Sequence, residues 1–260
     1  MAAMDGIQVE LDGVAFDGSD SDTIPAITLT SDTRLFGGVS MRREQTDRPT
    51  GHGQFWSPGF LSGRVITLAG EIYSRGFEDQ ERMIGQIDSL LADGSAAPMA
   101  VQRAIGHLQA TVGRIGEPSF TLDRYGLLAT YQAQFWAPDP RWYGDAPASA
   151  LAASLDLSHR GNFPSLPTFT VPGSAAVSGG YTIAGPGGRA YVVTSGPAAG
   201  HSDEIDFATG WLRRDGALLF GAVSRYETWA IPKGANWTHT IAGTGAGTAR
   251  MTARVPDTYV

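Results

Sequence analysis

The chain has 260 residues, no cysteine, a formal charge of −7 and one lysine, Lys233, against 18 arginines. The lack of thiols excludes disulfides, thiolate metal centres and cysteine nucleophiles together, and scattered arginines on an acidic chain exclude the basic footprint of a nucleic-acid binder. No apolar run of about 18 residues exists to span a bilayer, while 34 glycines and 15 prolines beside 42% hydrophobic residues describe a turn-rich β protein with a sizeable core.

The opening residues, Met1 to Gly6, lack the basic and apolar segments of a signal peptide, which predicts a soluble chain made in a cytoplasm. Strand-like segments follow at Ile7 to Phe16, Ile24 to Thr30 and Leu35 to Arg43, punctuated by the turn pairs Asp12-Gly13 and Asp17-Gly18. Gly63 to Tyr73 is β-branched and aromatic enough to belong in a sheet. Phe77, Met83, Ile84, Ile87, Leu90 and Leu91 then recur at helical spacing. Glu78, Asp79 and Glu81 occupy the first turns and Asp93-Gly94 the end, so the pattern predicts one amphipathic helix lying on a sheet. Strands resume at Met99 to Arg103, Leu108 to Ile115, Phe120 to Asp123 and Leu127 to Trp136.

A seam comes next. Tyr131, Ala133 and Phe135 alternate with Gln132 and Gln134, the period of a strand with one buried face. Pro138 and Pro140 then remove ladder donors and stiffen the exit. The Ala-, Ser- and Pro-rich run Asp145 to Ser154 reads as a linker. The expected division is a first domain over 1–145 and a second over 146–260. Past the seam, about nine short strands are expected between Leu151 and Val255, with no helical period, and they predict a β-sandwich.

Residues that could carry chemistry are few. Asp17, Asp20 and Asp22 have the hardness for calcium but not the loop spacing, so a solvated turn is the better reading. His201 to Asp206 gathers possible ligands, yet Ile205 and Phe207 read as inward positions of a strand with an acidic outer face. His52, His107, His159, His201 and His239 never reach zinc-ligand spacing. Gly243-Thr244-Gly245-Ala246-Gly247 mimics part of a dinucleotide loop, but a strand follows it instead of a helix, which predicts a hairpin turn. No catalytic residue, metal site or cofactor site is assigned. The aromatics remain. Trp211, Trp229 and Trp237 could stack on sugar faces or fill the core, and the core is the weightier reading. Phe55 and Trp56, in a loop bounded by glycine and proline, are candidates for contact with another subunit, with core burial as the alternative.

Three blocks resemble the distal tail proteins of long, non-contractile-tailed (siphovirus-type) bacteriophages. They are Gly63 to Ile72, Phe135 to Gly144, and Arg160 to Val171, the last reading Arg-Gly-Asn-Phe-Pro-Ser-Leu-Pro-Thr-Phe-Thr-Val. A fourth and weaker match is Ile231 to Asn236. The resemblance implies a first domain related to tail-tube proteins that closes a homo-hexameric ring, and a galectin-like second domain outside it. It implies a structural role in the virion without catalysis: a hub joining the tail tube protein to tail-tip or baseplate proteins, assembled in the host cytoplasm, with DNA passing through unheld and no membrane insertion. No inserted carbohydrate-binding module of the kind some relatives carry is present, which weighs against direct sugar binding, the alternative function.

Overall fold

The computed structural model describes residues 7–17, 24–33, 35, 37–104 and 106–260. Met1 to Gly6 and residues 18–22 of the acidic turn lie outside the described residues. The protein is mainly β, and the described residues contain one α-helix, Phe77–Ser89. The chain divides into two compact units, Met1–Trp142 with Val260, and Tyr143–Tyr259.

In the first unit, neighbouring strands run in the order Val14–Asp17, Gln8–Leu11, Ala96–Arg103, Gly106–Arg114, Leu128–Ala137, Arg64–Tyr73 and Ala26–Ile27. Asp12 and Gly13 both take positive φ, 50° and 77°, the two-residue turn whose twist matches the hairpin it closes. The alternation expected near the seam is met: Ala129, Tyr131, Ala133, Phe135 and Ala137 are buried, while Thr130, Gln132, Gln134 and Trp136 are exposed. The strand pairs along its length with Arg64–Tyr73, from Leu128 opposite Tyr73 to Ala137 opposite Arg64. Within this ladder Gly70 has no room for a side chain, because a Cβ there would meet the Thr28 carbonyl oxygen at 1.8 Å.

The helix packs on those same two strands. It buries Gln80, Met83 and Ile87, and Leu90 and Leu91, just past its end, are buried too. Phe77 departs from the expected stripe. It is 56% exposed and lies over Gly126, whose missing Cβ makes space for the ring.

In the second unit, two five-stranded antiparallel sheets face one another. One runs Ser154–Leu157, Trp237–Gly243, Tyr181–Ala184, Ala190–Val193, Val223–Tyr226; the other runs Ala217–Leu218, Trp211–Arg214, Ser202–Asp206, Thr168–Pro172, Thr252–Arg254. Their inward residues share one core, with Leu155, Tyr181, Ile183, Tyr191 and Ile241 from the first sheet and Phe169, Val171, Ile205, Leu212 and Ala253 from the second. The expected linker is in part strand-like. Ser149 N–H donates to the Ala253 carbonyl at 2.8 Å and Ala152 N–H to the Met251 carbonyl at 3.0 Å, so this run is laced to the second unit.

Candidate functional site

The first unit carries an exposed two-stranded ribbon. Met41–Arg42 pairs with Phe60–Leu61, Asp47 bridges Gln54, and near the tip Arg48 N–H donates to the Gly53 carbonyl at 3.2 Å. Positive φ at Gly51 and Gly53 lets the chain reverse there. No residue from Gly37 to Gly63 is buried. Phe55 is 56% exposed and Trp56 81% exposed, so the core alternative for both is overturned. Met41 and Phe60 are exposed beside them, and the Arg48 guanidinium sits 5.8 Å from the centre of the Phe55 ring. An isolated two-stranded ribbon is marginal in water. Its large exposed rings make it a candidate contact surface of the first unit.

The three second-half tryptophans separate. Trp229 is buried in the core. Its ring meets Phe207 edge-on at 4.7 Å, packs where a Gly185 Cβ would stand 2.2 Å away, and donates its N–H to His239 Nε2 at 2.8 Å. It has no open face for a sugar. Trp237 is half-buried and packed against the core. Trp211 is about half exposed, with the Arg213 guanidinium 5.6 Å from its ring centre. The structure thus does not bring the three together as one platform.

The other chemistry-bearing groups are engaged structurally. Ile205 and Phe207 are buried, and Glu204 and Asp206 give the strand its acidic outer face, while Asp203 lies inward by the same alternation. Its carboxylate accepts from Arg214 Nε at 2.7 Å, Arg214 Nη2 at 3.1 Å and the Tyr181 hydroxyl at 3.0 Å. Burial and the Asp203 charge push the Tyr181 phenol up, which keeps it a neutral donor. His201 Nδ1 meets Asp215 Oδ2 at 2.6 Å. The Ser202 N–H, first, and then His201 hold Asp215 below the usual carboxylate range. The glycine-rich run after Trp237–Gly243 is a crossing between the two sheets and not the expected hairpin, since Trp237–Gly243 and Thr252–Arg254 belong to different sheets. Its amides are spent on backbone: Thr244 N–H donates to the Gly180 carbonyl at 3.0 Å and Gly245 N–H to the Ala176 carbonyl at 2.9 Å. Among the described residues, no group of three or more His, Asp and Glu could hold a metal ion, and no helix is long and apolar enough to cross a membrane.

No family model matches the chain, and no curated protein matches it in sequence. Among solved structures it is similar to the SPP1 Dit protein, described as a paradigm of the hub adsorption apparatus in phages that infect Gram-positive bacteria. That match has a TM-score of 0.74 and covers 98% of this chain and 99% of the other, at 13% identity. The chain has the SPP1 Dit fold. A chain of the phage P2 baseplate in its activated conformation with Ca is also similar, with a TM-score of 0.54 over 96% of this chain and 97% of that one, at 9% identity. The same baseplate with Sr gives a TM-score of 0.53 at 8% identity. At such low identity the Dit likeness rests on fold, and it agrees with the resemblance to siphovirus-type distal tail proteins read from the sequence.

Proposed function

We propose that this chain is a structural component of a phage tail, a hub that joins the tail tube to the baseplate or host-recognition apparatus. The observation that carries the reading is the fold match to the SPP1 Dit hub protein along nearly the full length of both chains. In this account the first domain, 1–145, is tail-tube-like and closes a ring of six copies. The second, 146–260, is a galectin-like sandwich carried outside the ring. The exposed ribbon with Phe55 and Trp56 supplies the contact between copies. The role is not catalytic, and the engagement of Asp203, His201 and His239 in structural hydrogen bonds supports that. The protein works in the virion, at the tail tip, after assembly in the host cytoplasm, and DNA passes the ring without specific binding.

Charge supports self-association through the ribbon. Residues 1–142 hold 18 acidic and 11 basic side chains, hence the whole −7, whereas the ribbon itself carries Arg42, Arg43 and Arg48 against Glu44 and Asp47. A cationic ribbon on an acidic body is complementary to the body of a second copy. Immunogold labelling of phage particles with an antibody to this chain tests the placement. Label at the tail end distal to the capsid is expected, and label confined to the capsid would contradict it.

A further inference from the structure

Besides the ribbon, the first unit leaves a second apolar surface uncovered, where its helix begins. The paired strands Ser119–Leu122 and Leu128–Ala137 are joined there by a turn, and Phe77, the first residue of the helix, lies against Gly126 of that turn. Phe77, Leu122, Tyr125 and Leu127 are each more than half exposed. Hydrogen bonds beneath them hold the surface in shape. Asp123 Oδ1 accepts the Leu127 and Leu128 N–H groups at 3.0 and 3.2 Å, Ser74 Oγ donates to the Gly126 carbonyl at 2.9 Å, and Gln80 Nε2 donates to the Leu128 carbonyl at 3.0 Å. Four large apolar side chains on a fixed turn form a contact surface.

The charges around it select the occupant. Residues 75–82 and 117–127 hold five carboxylates, Glu78, Asp79, Glu81, Glu117 and Asp123, against three arginines, a net of −2. Two of the arginines are engaged within the unit, Arg82 with Asp79 at 3.1 Å and Arg75 with the Ile24 carbonyl at 3.0 Å. The third, Arg124, stands 4.6 Å over the Tyr125 ring. Glu78 and Glu81 are exposed and form no ion pair among the described residues. The surface therefore suits apolar rings flanked by cations. This chain carries that set on its own ribbon. Phe55, Trp56 and Phe60 are exposed there, and Arg42, Arg43 and Arg48, exposed as well, form no ion pair among the described residues.

Two copies can join these surfaces in three ways, and charge decides among them. Ribbon on ribbon sets three arginines against three, and turn on turn sets a net of −2 against −2, so both are repulsive. Ribbon on turn joins opposite signs. It also covers both sets of apolar side chains with a single contact, whereas a foreign partner on the turn would leave the ribbon bare. Such a contact is head-to-tail, the kind that closes rings. We propose that the ribbon of one copy seats Phe55 and Trp56 on Phe77, Leu122, Tyr125 and Leu127 of the next copy and sets its arginines against Glu78 and Glu81, a contact that rests on the ring proposed above and gives it a receiving surface.

Two charge-reversed forms of the full chain test it by native mass spectrometry. The first carries Arg42→Glu, Arg43→Glu and Arg48→Glu; the second carries Glu78→Arg and Glu81→Arg. All five side chains are exposed, so both forms should stay folded. Each alone should assemble at least about tenfold more weakly than wild type. Their equimolar mixture should assemble as wild type does, with the two forms in equal number, because a ring of six can alternate them. Cross-linking gives a second measurement that does not depend on the charge variants folding. The chain has no cysteine, so a short bis-maleimide should join a mixture of Ser57→Cys and Arg124→Cys chains into pairs with one of each, and should join neither variant to itself. A wild-type chain that stays monomeric, with no mixed cross-link, would overturn this contact and the ring together. Wild-type rings without the mixed cross-link, or a Glu78/Glu81 variant that assembles as well as wild type, would overturn the receiving surface and leave the ring standing. A mixture that stays monomeric, although both forms unfold at the wild-type temperature, would overturn the pairing of ribbon with turn.

Discussion

His239 is held between two tryptophans: it accepts the Trp229 indole N–H on Nε2 at 2.8 Å, and its Nδ1 meets the Trp237 carbonyl at 2.9 Å. The pair of contacts fits a neutral ring with its proton on Nδ1. An imidazolium would turn two N–H donors against each other at Nε2.

The first prediction concerns pH. Burial is the main reason the His239 imidazole lies below the ordinary histidine value of 6.5. The unfolded chain therefore takes up this proton near pH 6.5 and the folded chain only lower, so between those values acid favours unfolding. Stability from this group should be constant above pH 6.5 and fall as pH drops below it. Urea unfolding monitored by tryptophan fluorescence, compared with His239→Gln, checks this: the variant should lose part of the slope between pH 6.5 and 5. Identical slopes would mean that the histidine is not held neutral.

The glycine-rich crossing gives a second prediction. A Cβ on Gly243 would stand 2.0 Å from the Ala176 carbonyl oxygen, and one on Gly245 would stand 1.9 Å from that of Ala175. Backbone cannot yield as a flexible side chain does. Gly243→Ala should cost about 1–3 kcal/mol by overpacking. Gly38→Ala, in open space on the ribbon, should be close to neutral in the same chemical denaturation series.

These residues also show what the sequence disclosed and what it hid. The period-2 run from Ala129 to Ala137 and the helix from Phe77 were legible because each buries one face against a single layer, which imposes a clean period. Trp211–Arg214 gives only a weak strand signal in the sequence: only Leu212 of its four residues is buried, so the alternation is weak. The signal was the turn after it. Asp215 and Gly216 take φ of 50° and 83°, the same Asp-Gly hairpin chemistry recognised at Asp12-Gly13. That strand carries Trp211. The glycine crossing misled for a different reason, since a close approach between two backbones and a tight hairpin both demand glycine. The exposure of Phe55 and Trp56 could not be read locally, because aromatic residues in a loop serve a core and an interface equally well.

A third prediction tests how the helix faces the sheet. Ile87 is fully buried, whereas Glu81 is exposed. Ile87→Ala should cost about 2–5 kcal/mol, and Glu81→Ala should stay within about 0.5 kcal/mol of wild type. Equal effects in guanidinium unfolding would contradict the facing.

The fourth concerns DNA. Every cation along a bore would add counterion-release affinity and slow a passing duplex, and the −7 of each copy resides in the unit proposed to form the ring. The bore should be neutral to acidic. The assembled protein should show no duplex binding by fluorescence anisotropy at about 0.1 M salt, where charges are screened beyond about 10 Å. Micromolar, salt-sensitive binding would contradict this and direct mutation first to Arg42, Arg43 and Arg48.

The central claim, a self-assembling hub, is tested most directly by mass photometry of the purified full chain with negative-stain class averages of the same sample. A species of six times the 27.4 kDa chain mass is expected, seen as an annulus with six-fold symmetry. Trp56→Ser should weaken it, because Trp56 is the most exposed ring of the ribbon. A strict 27.4 kDa monomer at every concentration reached, with no annular particles, would contradict the account.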